Sequence, residues 1–341
     1  MAGPVRRSRY RIRPRLFIFA ALLAALLAFA FWPRPSHPAA AARTPSSSPT
    51  TSSKPPSPTA ASFDPPKLAW YAGNVLPGPA QGLAATTAAG DLIAVGGFDG
   101  SNSSTAITAF GPAPLAVSLP VAVHDAAAVV LNSTLYVLGG GTAVPTATVQ
   151  AVSLTGQSTA NPPALPTPMA DTASVSTPDG FVLVGGYTGT TYLNSVSTWT
   201  PGHLTPLAHL PTGVRYAAAA WYAHSLIVAG GLTPGGPTAH VYAVDLKTGH
   251  VTAWPSLPHP VYHAAMTVFQ GDLIVLGGTV RGSATEATFV YDPHSQTWVA
   301  GPALPTPTAD GAIKVFNGEL WYLGGYNTGG PTADVWIGKG S

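Results

Sequence analysis

The stretch HAAMTVFQGDLIVLGG, residues 263–278, decides the fold. Two short, largely apolar runs, 264–269 and 273–276, lie on either side of Gln270-Gly271-Asp272, and a Gly-Gly pair follows the second run. Short apolar runs separated by a Gly-containing turn predict an antiparallel β-hairpin. The Gly pair permits backbone torsions that other residues resist. This part of the chain is therefore expected to be β-sheet.

The same pattern occurs six times, with Gly-Gly pairs at 96–97, 139–140, 185–186, 230–231, 277–278 and 324–325. The intervals between pairs are 43, 46, 45, 47 and 47 residues, a spacing that suits four-stranded propeller blades. A Leu followed by Pro stands twenty residues before each pair: Leu76, Leu119, Leu165, Leu210, Leu257 and Leu304. A large apolar residue stands four residues before each pair: Leu92, Leu135, Phe181, Leu226, Leu273 and Leu320. These registers predict six copies of one unit of four antiparallel strands.

The repeat resembles the kelch repeat, in which a Gly-Gly pair after an apolar strand is followed by Tyr and, about one hairpin later, by Trp. The last two features are clearest as Tyr291 and Trp298. The resemblance covers residues 67–341 and implies an all-β, six-bladed propeller of the superfamily that includes the galactose oxidase central domain. One departure is that the Arg usually found after Pro, before the inner strand, is missing; Pro79, for example, is followed by Ala80.

The last unit stops short of a fourth strand. Its third-strand segment is 333–337, and the chain ends at Ser341. Trp70 precedes Leu76 by six residues, as Trp298 precedes Leu304. We therefore expect residues 68–73 to pair with 332–337 and to close the last blade, which would leave few exposed strand edges.

The N-terminal part of the chain has a different composition. Residues 1–15 are basic, and 16–32 form an uncharged apolar run of 17 residues, about 25 Å as a helix. This predicts a basic cytoplasmic segment, one transmembrane signal-anchor helix at 16–32 and a disordered Pro/Ser/Thr-rich linker at 33–66. The propeller at 67–341 would then lie outside the cell membrane. The alternative is a signal peptide cleaved near residues 39–42, which would release a secreted propeller.

Charge and cysteine content exclude several classes of function. Residues 1–66 contain nine Lys/Arg and one acid, whereas 67–341 contain six Lys/Arg and twelve acids. The folded part is mildly acidic, which argues against nucleic acid as a partner. The chain has no Cys, so the Cys–Tyr crosslink on which kelch-type galactose oxidases rely cannot form. The His residues lack metal-ligand spacing. We therefore expect no metal and no cofactor.

The repeat alignment brings polar residues into two equivalent positions, fourteen and fifteen residues before each Gly pair. In kelch propellers that resemble this chain, the starts of the inner strands line the mouth of an axial pocket. The resemblance therefore implies a shared ligand-binding set: His124, Asp125, Asp171, Arg215, Tyr216, Tyr262, His263 and Asp310. The alternative is structural, because Asp at a strand start often caps neighbouring backbone groups.

Three functions are compatible with these features. The predicted linker and anchor helix favour a membrane-tethered binding module for a glycan, an envelope component or a protein partner. This is the function that we expect. The second is a sugar mutarotase or epimerase, similar to kelch-type sialate epimerases, in which Asp and His act as acid and base. The third is a structural role in the envelope without a defined ligand. Fold alone does not decide among them.

Overall fold

The computed structural model describes residues 63–340, except for 89, 112–114, 156–158 and 161. The expected cytoplasmic segment 1–15, the apolar run 16–32 and the linker up to residue 62 lie outside the described residues. The described part of the chain consists of strands joined by turns and irregular segments. No helix in it has the length and apolarity needed to cross a bilayer.

The strands follow one another in chain order from the start of the described region to its end. The first fourteen are β1 (Leu68–Ala72), β2 (Ala84–Ala88), β3 (Asp91–Val95), β4 (Ser104–Phe110), β5 (Ser118–Leu131), β6 (Thr134–Gly141), β7 (Val149–Ser153), β8 (Ala173–Thr177), β9 (Gly180–Val184), β10 (Ser195–Thr200), β11 (His203–His209), β12 (Ala218–Tyr222), β13 (Ser225–Ala229) and β14 (Leu232–Thr233). The remaining fourteen are β15 (Gly236–Pro237), β16 (Val241–Val244), β17 (Val251–Trp254), β18 (Ala265–Phe269), β19 (Asp272–Leu276), β20 (Thr279–Val280), β21 (Ser283–Ala284), β22 (Thr288–Asp292), β23 (Thr297–Ala300), β24 (Ala312–Phe316), β25 (Glu319–Leu323), β26 (Tyr326–Asn327), β27 (Gly330–Pro331) and β28 (Val335–Gly340).

Each repeat unit contributes an antiparallel inner hairpin immediately before its Gly pair, as β18 and β19 do. Four of these hairpins turn on two residues that both have positive φ, the geometry of a type I′ turn. Asn132-Ser133 and Asn317-Gly318 are examples. The aligned apolar residues are buried: the six Leu of the Leu-Pro positions are at most 5% exposed. The repeat alignment therefore identified hairpins and core positions correctly.

The described strands form five larger sheets, not six separate ones. Four sheets have four strands, and the fifth has six, in the order β2-β3-β4-β5-β6-β7. The sheets of the described residues therefore count as five blades, not the expected six blades of four strands each, because the first two repeat units share one sheet. The connecting strand is β5, which is 14 residues long and pairs with β4 at one end and with β6 at the other.

The length of β5 has a local cause in the sequence. Three residues after the Leu of the Leu-Pro position, five units have a Pro or Gly: Pro79, Pro168, Gly213, Pro260 and Pro307. The second unit has Ala122 at this position, so no turn-forming residue interrupts the extended chain. The side chain of Gln150 also accepts a hydrogen bond from the N–H of Val121 and donates one to its carbonyl oxygen, at 2.8 and 3.0 Å.

The inner strands are arranged around a common axis. They contact one another in the closed order β2, β5, β8, β12, β18, β24 and back to β2. Immediately before these strands, or within β5, six residues form a ring of backbone hydrogen bonds. Each N–H donates to the carbonyl of the equivalent residue in the previous unit, at 2.7–3.1 Å. The ring consists of Gly82, Asp125, Asp171, Tyr216, His263 and Asp310.

The N-terminal strand closes the propeller. β1 is the outermost strand of the sheet β1-β28-β25-β24 and pairs antiparallel with β28. The expected closure is present, but the partner range is 336–340 instead of 332–337, since Leu68 lies opposite Gly340 and Ala72 opposite Trp336. Phe63, which precedes β1, and Trp70 within β1 both pack against the buried apolar cluster that includes Phe269 and Tyr322.

Candidate functional site

Five of the eight predicted site residues line one cavity at the start of the inner strands. These five are Asp125, Asp171, Tyr216, His263 and Asp310, and Gly82 completes the set. The cavity has a volume of about 150 Å³ and continues into the space between the inner strands. The shared position in the repeat therefore places these side chains at one opening. We call the six residues the axial ring.

The backbone of the axial ring is in the left-handed region at every position. The φ angles lie between 55° and 60°, including those of Tyr216 and His263, which are poorly suited to that region. Asp tolerates such angles better than most residues do, which supports the structural interpretation of the Asp positions. Gly82 has a further reason to be Gly, because a Cβ there would lie 2.4 Å from Oδ1 of Asp125.

The three carboxyl groups of the ring share a small, largely desolvated space. Burial, together with Asp310 and Asp171, raises the pKa of Asp125 well above its ordinary value. Burial and the neighbouring Asp171 raise the pKa of Asp310 to about 8. Burial also raises the pKa of Asp171, although the adjacent Arg215 opposes this effect. At neutral pH Asp310 is therefore largely a carboxylic acid that can donate a hydrogen bond, and the pKa of Asp125 is shifted in the same direction.

Asp171 forms the ion pair and accepts most of the hydrogen bonds among the charged residues of the site. It is 8% exposed, and its Oδ2 lies 2.8 Å from Nε of Arg215. Asp171 also accepts hydrogen bonds from Asp125 and Tyr216. The Arg215 guanidinium contacts the hydroxyl of Tyr216 and lies over the rings of Tyr187 and Tyr216, 4.6 and 4.2 Å from their centroids. Arg215 is thus already paired within the protein.

His263 is held in its neutral form. Burial, assisted by the positive charge of Arg215, lowers its pKa to about 3. Its ring centroid lies 3.8 Å from that of Tyr216 and 5.9 Å from that of Tyr326. Its Nδ1 lies 3.4 Å from the hydroxyl of Tyr326. A neutral imidazole among aromatic rings can donate and accept one hydrogen bond each, but it takes up a proton poorly near neutral pH.

The remaining predicted residues, His124 and Tyr262, lie beside the ring, as Arg215 does. Nδ1 of His124 is hydrogen-bonded to the hydroxyl of Ser103 at 2.8 Å, and Nε2 lies 3.6 Å from Oδ2 of Asp125. Burial lowers the pKa of His124. The Tyr262 ring lies 4.9 Å from that of His263. All eight residues are thus near one opening, five as lining and three as neighbours.

Sequence reasoning missed an aromatic set that belongs to the same site: Phe98, Tyr187 and Tyr326. Each directly follows a Gly pair and forms a β-bridge with the residue just before the ring position of its own unit. The Phe98 ring is tilted against that of His124, with centroids 5.2 Å apart, while Tyr187 lies under Arg215 and Tyr326 contacts His263. Aligning the position after the Gly pair, where three of six residues are aromatic, would have identified them.

The donor set does not resemble a metal site. Within residues 63–340, apart from the gaps already given, no group of three or more His, Asp or Glu side chains is arranged to hold an ion. The ring presents three carboxyl groups, of which that of Asp310 is largely protonated, together with an imidazole and phenols around a small opening. Such a surface suits hydroxyl or amide groups of a ligand.

Comparisons with known proteins agree with this architecture. A family model for the Kelch motif matches residues 260–305, the unit that contains Tyr291 and Trp298. The solved structure of YjhT matches with a TM-score of 0.65 and 15% sequence identity, over 77% of this chain and 96% of that chain. At this identity the likeness concerns the fold alone. No curated protein matches the chain. The chain thus contains a kelch motif at residues 260–305 and has a β-propeller fold, and both findings support the resemblance to kelch-repeat β-propellers.

Proposed function

We propose that this propeller is a membrane-tethered, extracytoplasmic binding module and that its axial ring binds an uncharged, hydroxyl-rich ligand such as a glycan. The kelch propeller fold is in general a binding or interaction module. The finer assignment rests on one observation, namely that Asp125, Asp171 and Asp310 meet at a single opening with two of them biased toward the protonated form.

A glycan fits the chemistry of the ring better than a charged ligand does. Sugar hydroxyls both donate and accept hydrogen bonds, and each must be satisfied when water is removed. The ring supplies a donor from Asp310, and the carboxyl oxygens of Asp125 and Asp171 supply acceptors. Since Arg215 is already paired with Asp171, it is a weak anchor for an anionic ligand. The rings of Tyr187, Tyr262 and Tyr326 add apolar surface next to these polar groups.

The same ring favours, to a lesser extent, a sugar mutarotase or epimerase. Asp310, with a pKa of about 8, holds a proton that it could transfer to a sugar ring oxygen. The expected partner His263 is a poor base, because its pKa is about 3. Acid–base exchange would therefore have to rely on a second carboxyl group, such as Asp171, which is engaged with Arg215. This is why binding is the main proposal.

The test replaces the carboxyl groups without straining the backbone. Gly suits the positive φ of Asp125 and Asp310, so Asp125→Gly and Asp310→Gly remove the side chain and keep the ring geometry. Asp179→Gly, at an exposed turn, is the matched control. Binding of the full-length chain to a panel of neutral oligosaccharides is measured by glycan array and calorimetry. We expect the ring variants to lose about tenfold or more in affinity, which is about 1.4 kcal/mol.

Two results would contradict the proposal. One is that no neutral oligosaccharide binds the wild-type chain, and the other is that the ring variants bind as tightly as Asp179→Gly. The same samples serve for the enzymatic alternative. Faster exchange of sugar anomers with the wild type than with Asp310→Gly, followed by NMR, would favour catalysis over binding alone.

We also propose that the propeller has six blades, with the six-stranded sheet counted as two. Support comes from the axial ring, to which each of the six repeat units contributes one residue, and from the six inner hairpins. In this interpretation the first part of β5, which pairs with β4, is the outer strand of one blade, and the second part, which pairs with β6, is the inner strand of the next. The two parts are continuous because no Pro or Gly separates them.

A further inference from the structure

A larger cavity lies along the axis beyond the ring. It has a volume of about 580 Å³ and is lined by the inner strands. This size is within the range of small-molecule sites in proteins. Most of its lining residues are Ala, Ser, Thr or Val, and Lys314 is the one charged residue among them. We call this space the axial channel.

Lys314 departs from the repeat. It lies ten residues before its Gly pair, and the equivalent residues in the other units are uncharged: Thr86, Val129, Val175, Ala220 and Thr267. Lys314 lies four positions after Asp310, which corresponds to about 13 Å between their Cα atoms along an extended strand. Within the described part of the chain, Lys314 forms no ion pair with a carboxyl group of the axial ring.

Among the described residues, no ion pair involves Lys314. Burial lowers the pKa of its ammonium group, and no nearby carboxylate counteracts this effect. A partly desolvated cation without a partner costs free energy that the protein must offset elsewhere. A bound anion would remove that cost, because the attraction between opposite charges is strong where water is partly excluded.

We propose that Lys314 binds a small oxyanion, a carboxylate or a phosphate, inside the axial channel. The Ser and Thr side chains of the channel, such as Ser174, Ser176 and Thr267, supply hydroxyl donors of the kind that accompany a lysine in oxyanion sites. The site is separate from the axial ring and does not depend on the function proposed for that ring.

Variants of Lys314 separate anion binding from a structural role. Lys314→Met keeps an unbranched stem and removes the charge, whereas Lys314→Arg keeps the charge. Lys247→Met, in the exposed turn between β16 and β17, is the matched control for the loss of one positive charge. Sodium phosphate and sodium acetate are titrated separately into the full-length chain at constant ionic strength, with calorimetry and thermal unfolding as readouts.

We expect saturable binding of at least one of the two anions to the wild type. Affinity should fall tenfold or more in Lys314→Met and change only a few-fold in Lys314→Arg and Lys247→Met. Phosphate binding without acetate binding would identify a phosphate site, and the reverse a carboxylate site. Equal affinity in wild type and Lys314→Met, or no saturable binding of either anion, would overturn the proposal.

A second measurement covers the case in which Lys314→Met folds poorly. Reductive methylation of the wild-type chain, read by peptide mass spectrometry, reports the reactivity of each lysine. The anion that binds should slow the methylation of Lys314 several-fold and leave Lys247 unchanged. Equal protection of both lysines would show a general salt effect and would also overturn the proposal.

Discussion

The residues of the axial ring combine a backbone requirement with a chemical one. All six have positive φ, so Asp at three of these positions is explained in part by the tolerance of its short polar side chain for that region. The backbone requirement does not explain why Asp125 and Asp310 are Asp instead of Asn or Gly. Side-chain chemistry and backbone preference can be separated because Asn shares the backbone preference and cannot ionise.

Asp310→Asn should change how stability depends on pH. The folded-state pKa of Asp310 is about 8, above its ordinary value of 3.8, so the folded protein binds this proton more tightly than the unfolded chain does. Stability contributed by the proton is complete below about pH 4 and is lost as pH rises toward 8. The wild type should therefore lose at least about 1 kcal/mol relative to Asp310→Asn between pH 5 and pH 8. Urea unfolding at both pH values measures the difference.

The lowered pKa of His263 does not reverse the predicted loss of stability with rising pH. His263 has a lowered pKa of about 3, so its contribution to stability is present above about pH 6.5 and is lost as pH falls toward 3. This contribution is shared by both proteins and cancels in the comparison. Stability curves of wild type and Asp310→Asn that run parallel from pH 5 to pH 8 would contradict the assigned pKa shift.

At the scale of the strands, the sequence pattern predicted the features that a few adjacent residues determine, and it missed those that depend on distant residues. The Gly pairs and Leu-Pro positions located all six inner hairpins and the shared register of the ring, because each is set by a few adjacent residues. The fusion of two units through β5 was missed, since it depends on the absence of a turn residue at Ala122 and on a hydrogen bond between Val121 and Gln150, 29 residues away. Aligning the position ten residues before each Gly pair would have identified Lys314 as the exception, but the cavity that it lines was not predictable because its lining comes from all six units.

The continuity of β5 can be tested with a single substitution. Ala122→Pro introduces the residue found at the equivalent place in four other units. If the six-stranded sheet is two blades, the change should cost less than about 1 kcal/mol in the free energy of unfolding, because the turn it favours is already used elsewhere. If β5 is one uninterrupted strand, Pro should cost about 3 kcal/mol or more. Val129→Pro, in the inner half of β5, is the control that should be severely destabilising.

At the scale of the whole molecule, the propeller and the N-terminal segment pose separate questions. β1 closes the propeller by pairing with β28, and in the sequence it follows the predicted linker 33–66. A module that closes on its own N-terminal strand can be attached to a tether without loss of a sheet edge. The proposed display of the axial ring outside the membrane then depends on residues 16–32.

The tether can be tested by placing one charge in the apolar run. Ala24→Arg lies at the centre of residues 16–32, where an arginine costs about 2.5–3.5 kcal/mol of membrane insertion. We expect the wild-type chain to remain in the membrane pellet after alkaline extraction and its propeller to be accessible to protease from outside the cytoplasm. Ala24→Arg should reduce both, and Ala40→Arg, beyond the apolar run, should reduce neither. Intact mass distinguishes the retained anchor, at 34.6 kDa, from cleavage near residues 39–42. A full-length wild-type chain found only in the soluble fraction would contradict both the anchor and the export of the propeller.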